Sequence, residues 1–140
     1  MNAMTLPRQQ IFWMFLVGAM ILFSALNRQP AHHFNIKEVS ALEAQEMVTS
    51  GAVVIDVRDF DLTGHARLPG ALHFPEAVLQ AGLAKLDVAK TARILVYCGD
   101  GSTHGPEATE ALNRAGYANA VNLKEGFEGW KAAGLPTVRG

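Results

Sequence analysis

The sequence predicts an α/β fold with a mainly parallel sheet flanked by helices, preceded by one N-terminal transmembrane helix. Three observations carry this. Short apolar runs of strand length, Ala52–Val57, Leu72–Phe74, Ile94–Tyr97 and Ala120–Leu123, alternate with stretches of helical pattern. The run Ala52–Val57 is continuously apolar up to Asp56 rather than alternating, as a strand covered on both faces requires. The window from Gln9 to Asn27 holds 19 residues without a charge. As a helix rising ~1.5 Å per residue it would be roughly 28 Å long, about the thickness of a bilayer's hydrocarbon core.

Taken in chain order, residues 1–27 read as a transmembrane helix or signal-anchor, 28–33 as a linker and 34–140 as the globular domain. Residues 11–26 would sit in the membrane. A cleaved signal peptide is the alternative, with Arg8 as its charged flank and Ile11–Phe23 as its apolar stretch. Its cleavage site is poor, because Ser24-Ala25-Leu26 puts leucine next to the cut and no A-x-A triplet precedes Ala31. Arg8 and the terminal amine on one flank nearly balance Arg28 and Lys37 on the other. A short N-terminal tail more usually stays inside, so the domain is expected on the outer, periplasmic face; cleavage would instead release it into the periplasm. His32 and His33, beside Pro30, read as solvated linker.

Within the domain, Ser40 with Glu43 three residues on forms a capping box, and Gly51 ends the helix it starts. Ala52–Val57 is the first strand, and Leu68-Pro69-Gly70-Ala71 turns into the second, Leu72–Phe74. A helix over Glu76–Leu86 leads to Ile94–Tyr97. Another helix over Glu107–Ala115, with Pro106 in its first turn and Gly116 at its end, leads to Ala120–Leu123. The last helix covers Phe127–Ala133, with Phe127 and Trp130 as core residues.

Chemistry gathers at Cys98, the only cysteine. It stands directly after an apolar strand and opens a glycine-containing loop, Gly99, Asp100, Gly101, Ser102, Thr103 and His104, that feeds a helix. Convergent backbone N–H groups and a helix N-terminus favour negative charge at the centre of such a loop, which lowers a thiol pKa and holds an anion. An inert buried cysteine is the alternative, and a polar loop is a poor place for one. Asp56 and Arg58 lie at another strand's carboxyl end, where parallel sheets collect ligands. Asp100 either points outward or selects against anionic donors, because a carboxylate beside a thiolate raises the thiol pKa and repels anions. His65 and His73 have no partner at metal spacing, so no metal site or cofactor is assigned. One cysteine excludes a disulfide framework and a Cys-rich zinc site. Lys and Arg are scattered at a net charge of −1, which gives no nucleic-acid signature.

An ordered set of motifs resembles a single rhodanese domain: Asp56-Val57-Arg58, Ala66-Arg67-Leu68-Pro69-Gly70-Ala71, Val96-Tyr97-Cys98 with Gly101, Gly116-Tyr117, Leu123, Gly126-Phe127, Trp130 and Gly134-Leu135-Pro136. The resemblance covers Phe34 to Gly140. It implies the rhodanese fold and, at Cys98, a cysteine that carries sulfane sulfur as a persulfide. A small donor such as thiosulfate and a thiol or cyanide acceptor would be the reactants. Asp56 and Arg58 read first as a structural buried pair and alternatively as an anchor for the cysteine loop, and Arg67 is grouped with them as supporting. The loop departs from the family pattern in lacking arginine, which often follows the cysteine and recurs near the loop's end, where Gly99 and Thr103 stand here. It also has room for seven residues, Cys98 to His104, before Gly105-Pro106. That length resembles the related phosphatase branch, with His104 in place of its arginine. A mostly neutral histidine cannot meet phosphoryl charge as a bidentate guanidinium does. A Cys-dependent phosphatase or arsenate reductase therefore ranks below sulfur transfer. A weakly active or inactive binding or sulfur-carrier module, serving a membrane or periplasmic protein partner, is the principal alternative.

Overall fold

The computed structural model describes residues 7–28, 32–61, 63–83 and 86–140. They fall into two compact units, 1–33 and 34–140. In the first, α1 (Arg8–Leu26) starts after Pro7, whose fixed φ of −58° suits the entry to a helix. It ends where the Asn27 N–H bonds the Phe23 carbonyl at 3.0 Å. Apolar side chains cover it all round, and none of its residues is buried. This one helix is long and apolar enough to cross a membrane, a test that a signal sequence near the N-terminus also passes. Within the expected linker, residues 29–31 lie outside the described residues.

The second unit is built on a five-stranded parallel sheet of β1 (Glu38–Val39), β6 (Ala120–Leu123), β5 (Ile94–Tyr97), β2 (Val53–Asp56) and β4 (Leu72–His73), in that spatial order. The α/β fold with a mainly parallel sheet flanked by helices is thus as the sequence predicts. β5 is central and wholly buried. Its Leu95 and Tyr97 pack on one face with residues of α2 (Ala41–Thr49) and α5 (Gly126–Ala132). Ile94 and Val96 pack on the other with α3 (Glu76–Gly82) and α4 (His104–Arg114). Burial on both faces is why this strand carries no polar alternation. Truncating Leu95 to alanine would cost about 2–5 kcal/mol by the usual range for core leucines.

The capping box forms: the Glu43 N–H donates to Ser40 Oγ at 3.3 Å, and the Ser40 N–H donates to Glu43 Oε2 at 2.8 Å. Other boundaries differ from expectation. Helix α4 begins at His104 rather than Glu107, because Gly105 and Pro106 join its first turn, where the N–H that proline lacks has no helical partner anyway. α3 stops at Gly82, short of the expected Leu86; residues 84–85 of that span lie outside the described residues. Three two-residue strands were not legible as strands: β1, and the antiparallel pair β3 (Ala66–Arg67) with β7 (Val138–Arg139). Each is created by a long-range pairing and is too short to show a period of its own.

Candidate active site

Cys98 follows β5 at the carboxyl edge of the sheet and is 3% exposed. Its Sγ accepts the Gly101 N–H at 3.2 Å, which closes the loop around the sulfur. Gly101 has φ 79°, and a Cβ there would run into the Lys124 carbonyl. The loop is fixed from below by the start of α5. The Phe127 N–H donates to the Cys98 carbonyl at 2.8 Å, and the Glu128 N–H donates to the Gly99 carbonyl at 2.9 Å. Gly126, at φ 58°, makes this approach possible, since a Cβ would lie 2.6 Å from both the Gly101 nitrogen and the Gly99 oxygen. From β6, the fully buried Asn122 donates through Nδ2 to the Gly101 carbonyl at 3.3 Å and to Glu38 Oε2 at 2.9 Å.

The rim of the loop is polar. Asp100 Oδ1 accepts the Ser102 N–H at 3.0 Å and the Ser102 hydroxyl at 2.8 Å, and lies 3.9 Å from Cys98 Sγ. The Ser102 N–H bond first, and the hydroxyl second, hold the Asp100 carboxyl below the usual carboxylate range. An exposed, ionised carboxylate thus stands against the sulfur. Thr103 takes the N-cap position of α4 without a side-chain capping bond. His104 Nδ1 lies 3.2 Å from Glu76 Oε2 and 4.0 Å from Glu107 Oε2. The ligand atoms of these three residues come within 4.8 Å of one another at the surface, where the Glu76–His104 pair accounts for the arrangement.

Behind the loop is a buried charge cluster. Asp56, 0% exposed, accepts from Arg58 Nε at 2.9 Å, from the Arg58 guanidinium again at 2.6 Å, and from the Tyr97 hydroxyl at 2.6 Å. Burial alone would lower the Arg58 pKa; its hydrogen bonds to Asp56 and the charge of Asp56 outweigh this and hold it raised. Burial first, and Asp56 second, push the Tyr97 phenol well above its ordinary range. The guanidinium also donates to the Ala66 carbonyl at 3.0 Å and stacks 4.4 Å from the Phe127 ring centroid. Through Phe127 it bears on the helix that holds the cysteine loop. A cavity of about 470 Å³ opens above Cys98, between the loop and the segment Arg58, Asp59 and Phe60, with Glu128 on its other side. A larger cavity of about 520 Å³ lies at the amino ends of the strands, beside Lys37, Arg93 and Asn119, and is lined by no cysteine, serine or threonine. The first is at the edge where parallel sheets place their ligands.

Residues 40–133 match the sequence profile of the Rhodanese-like domain. The chain belongs to the rhodanese-like family. Among its relatives, the uncharacterized protein YibN of Escherichia coli is 29% identical over 138 residues, covering 96% of this chain and 92% of YibN. The thiosulfate sulfurtransferase GlpE of Haemophilus influenzae is 33% identical over 104 residues, 73% of this chain and 94% of GlpE. The rhodanese-like domain from the Alr3790 protein of Anabaena sp. superposes with a TM-score of 0.62 at 29% identity, over 73% of this chain and 78% of that one.

In this rhodanese-like domain, Cys98, Gly99, Asp100 and His104 come together with Arg58 around one cavity, and Gly101 lies beneath it, bonded to the sulfur. Asp56 is one step removed, under Arg58. Arg67 is placed elsewhere, in β3, with its guanidinium against Gly140. His73 Nε2 bonds the Arg58 carbonyl at 2.8 Å, and His65 packs edge-on against Phe60. Sequence reasoning missed Asp59, Phe60 and Glu128 on the cavity wall, and Asn122 beneath the loop. Asn122 did leave a signal, as the one polar residue in a buried apolar strand. Gly126 entered the reading as part of a motif, without its role as the point of closest approach between α5 and the loop.

Proposed function

We propose that this chain is a membrane-tethered sulfurtransferase that moves sulfane sulfur through a persulfide on Cys98. The observation that carries it is the Cys98 sulfur, held by the Gly101 N–H at the floor of an open cavity at the carboxyl edge of the sheet. The Cys98 thiolate attacks the outer sulfur of a donor of the thiosulfate type, the leaving group departs with the electron pair, and the outer sulfur stays as Cys98–S–S⁻. A thiol or cyanide then takes that sulfur and regenerates the thiolate. Gly99, Asp100, Gly101, Ser102, Thr103 and His104 form the cradle, and Asp56 and Arg58 support it. Residues 1–27 would anchor the chain, 28–33 link, and 34–140 work on the outer, periplasmic face; release after signal cleavage is the variant of this reading.

Absence of a loop arginine, with Asp100 against the sulfur, favours one second reading: a sulfur carrier that loads but turns over slowly with cyanide. Phosphoryl transfer gains no support, since His104 is turned to Glu76 rather than to the sulfur. The deciding assay incubates the purified full-length protein with thiosulfate and cyanide and follows thiocyanate together with the mass of Cys98. Thiocyanate formation and one added sulfur, both lost in Cys98→Ser, are expected. Robust Cys98-dependent hydrolysis of an aryl phosphate would overturn the assignment.

A further inference from the structure

We infer that Asp100 makes the Cys98 cavity selective for a sulfur donor whose carrier is positively charged, an organic persulfide bearing an ammonium group, over anionic donors such as thiosulfate. This rests on the persulfide reading above. Three acidic residues line the cavity, Asp59, Asp100 and Glu128. Its cationic residues are already engaged: Arg58 is bonded to the buried Asp56, and His104 to Glu76. Lys131 offsets Glu128 at 3.1 Å, whereas Asp59 and Asp100 have no ion-pair partner among the described residues. Asp100 stands nearest the reaction, with Oδ1 3.9 Å from Cys98 Sγ. It also consumes the Ser102 N–H, which would otherwise be available to an anion. The exposed ring of Phe60 supplies an apolar wall suited to a carbon chain.

In loading from R–S–SH, the Cys98 thiolate attacks the terminal sulfur, the bond between the donor's two sulfurs breaks, and R–S⁻ leaves with the electron pair. The terminal sulfur and its proton become Cys98–S–SH, so no oxidant or reductant is needed. If R carries an ammonium, the departing thiolate is a zwitterion that the carboxylate ring tolerates. If the donor is thiosulfate, two negative charges enter beside Asp100 and both leave on sulfite.

Cysteamine persulfide and 3-mercaptopropionate persulfide share size and sulfur chemistry and differ in the sign of the carrier's charge, so they isolate the effect. Full-length protein in nonionic detergent is mixed with each, and with thiosulfate, and sulfur on Cys98 is followed by mass spectrometry under single-turnover conditions. Loading from the cationic donor should be at least tenfold faster than from its anionic twin at low salt, as charge-steered encounter allows. Added salt should slow the first and speed the second. Asp100→Asn, whose amide oxygen can still accept the Ser102 N–H, should shrink that ratio at least threefold and speed loading from thiosulfate. Equal rates for the twin donors, or a ratio that Asp100→Asn and salt leave unchanged, would overturn the inference while the persulfide reading stands. Failure of every donor to add sulfur would overturn both.

Discussion

Replacing Arg58 by methionine keeps most of the side chain's volume and deletes the cation that compensates Asp56. Asp56 is wholly buried, and after the change only the Tyr97 hydroxyl and the Arg58 backbone N–H would still bond its carboxylate. Removing one partner of a buried ion pair costs about 3–5 kcal/mol, because the remaining charge is uncompensated. At about 4 °C per kcal/mol for a domain of this size, the thermal midpoint should fall by roughly 12–20 °C. The double change Asp56→Asn/Arg58→Met removes both charges while the Asn oxygen can still accept the Tyr97 hydroxyl, and it should recover more than half of the loss. Circular-dichroism melts of wild type, Arg58→Met and the double variant in nonionic detergent provide the measurement. A loss below about 1 kcal/mol for Arg58→Met, or a double variant no better than the single, would refute charge compensation as what holds this cluster.

Three further outcomes are expected. Gly126→Ala should cost about 1–3 kcal/mol in backbone strain and also displace the loop, slowing iodoacetamide alkylation of Cys98 at least tenfold; Gly134→Ala, which has the same sign of φ but open space around it, should leave alkylation unchanged. His104→Arg should strengthen phosphate protection of Cys98 against alkylation only when Glu76→Gln accompanies it, because Glu76 otherwise takes the new guanidinium; protection by the single variant would refute this. Full-length protein should stay with membranes after an alkaline carbonate wash, and recovery of a soluble form starting near residue 30 would instead mark α1 as a cleaved signal.

What was legible in the sequence was what local periodicity or local hydrogen bonding encodes. Ile94–Tyr97 announces burial on both faces because four apolar residues follow one another, and Ser40 with Glu43 announces a helix start because the two groups bond across one turn. Cys98 could be placed at a strand's end from its neighbours alone. The rest depends on contacts between distant segments. Nothing near Gly99 states that its carbonyl will be met by the Glu128 N–H, nor does the Asn122 side chain state that it will reach the Gly101 carbonyl. Asp56 and Arg58 were visible as a pair at a strand end, but Phe127, against which the guanidinium stacks, is supplied by the last helix. Arg67 shows the reverse case: it was grouped with the site alongside the motif it belongs to, and pairing of β3 with β7 sets it beside the last residues of the chain.

The hold of α5 on the carbonyls of Cys98 and Gly99 separates two inheritances. A planar peptide carries its carbonyl and its N–H on opposite edges, so fastening those two oxygens to α5 turns the N–H groups of Gly99 and Asp100 away from that helix. The placing of the Gly101 N–H on the sulfur is thereby written in main chain and in the glycines that let the segments meet. The loop's side chains take no part in those two bonds. A descendant could exchange Asp100, Ser102 or His104 for residues of opposite charge and meet a different donor without rebuilding the nest around the thiol. The loop's side chains are in this sense separable from the main-chain frame that holds them.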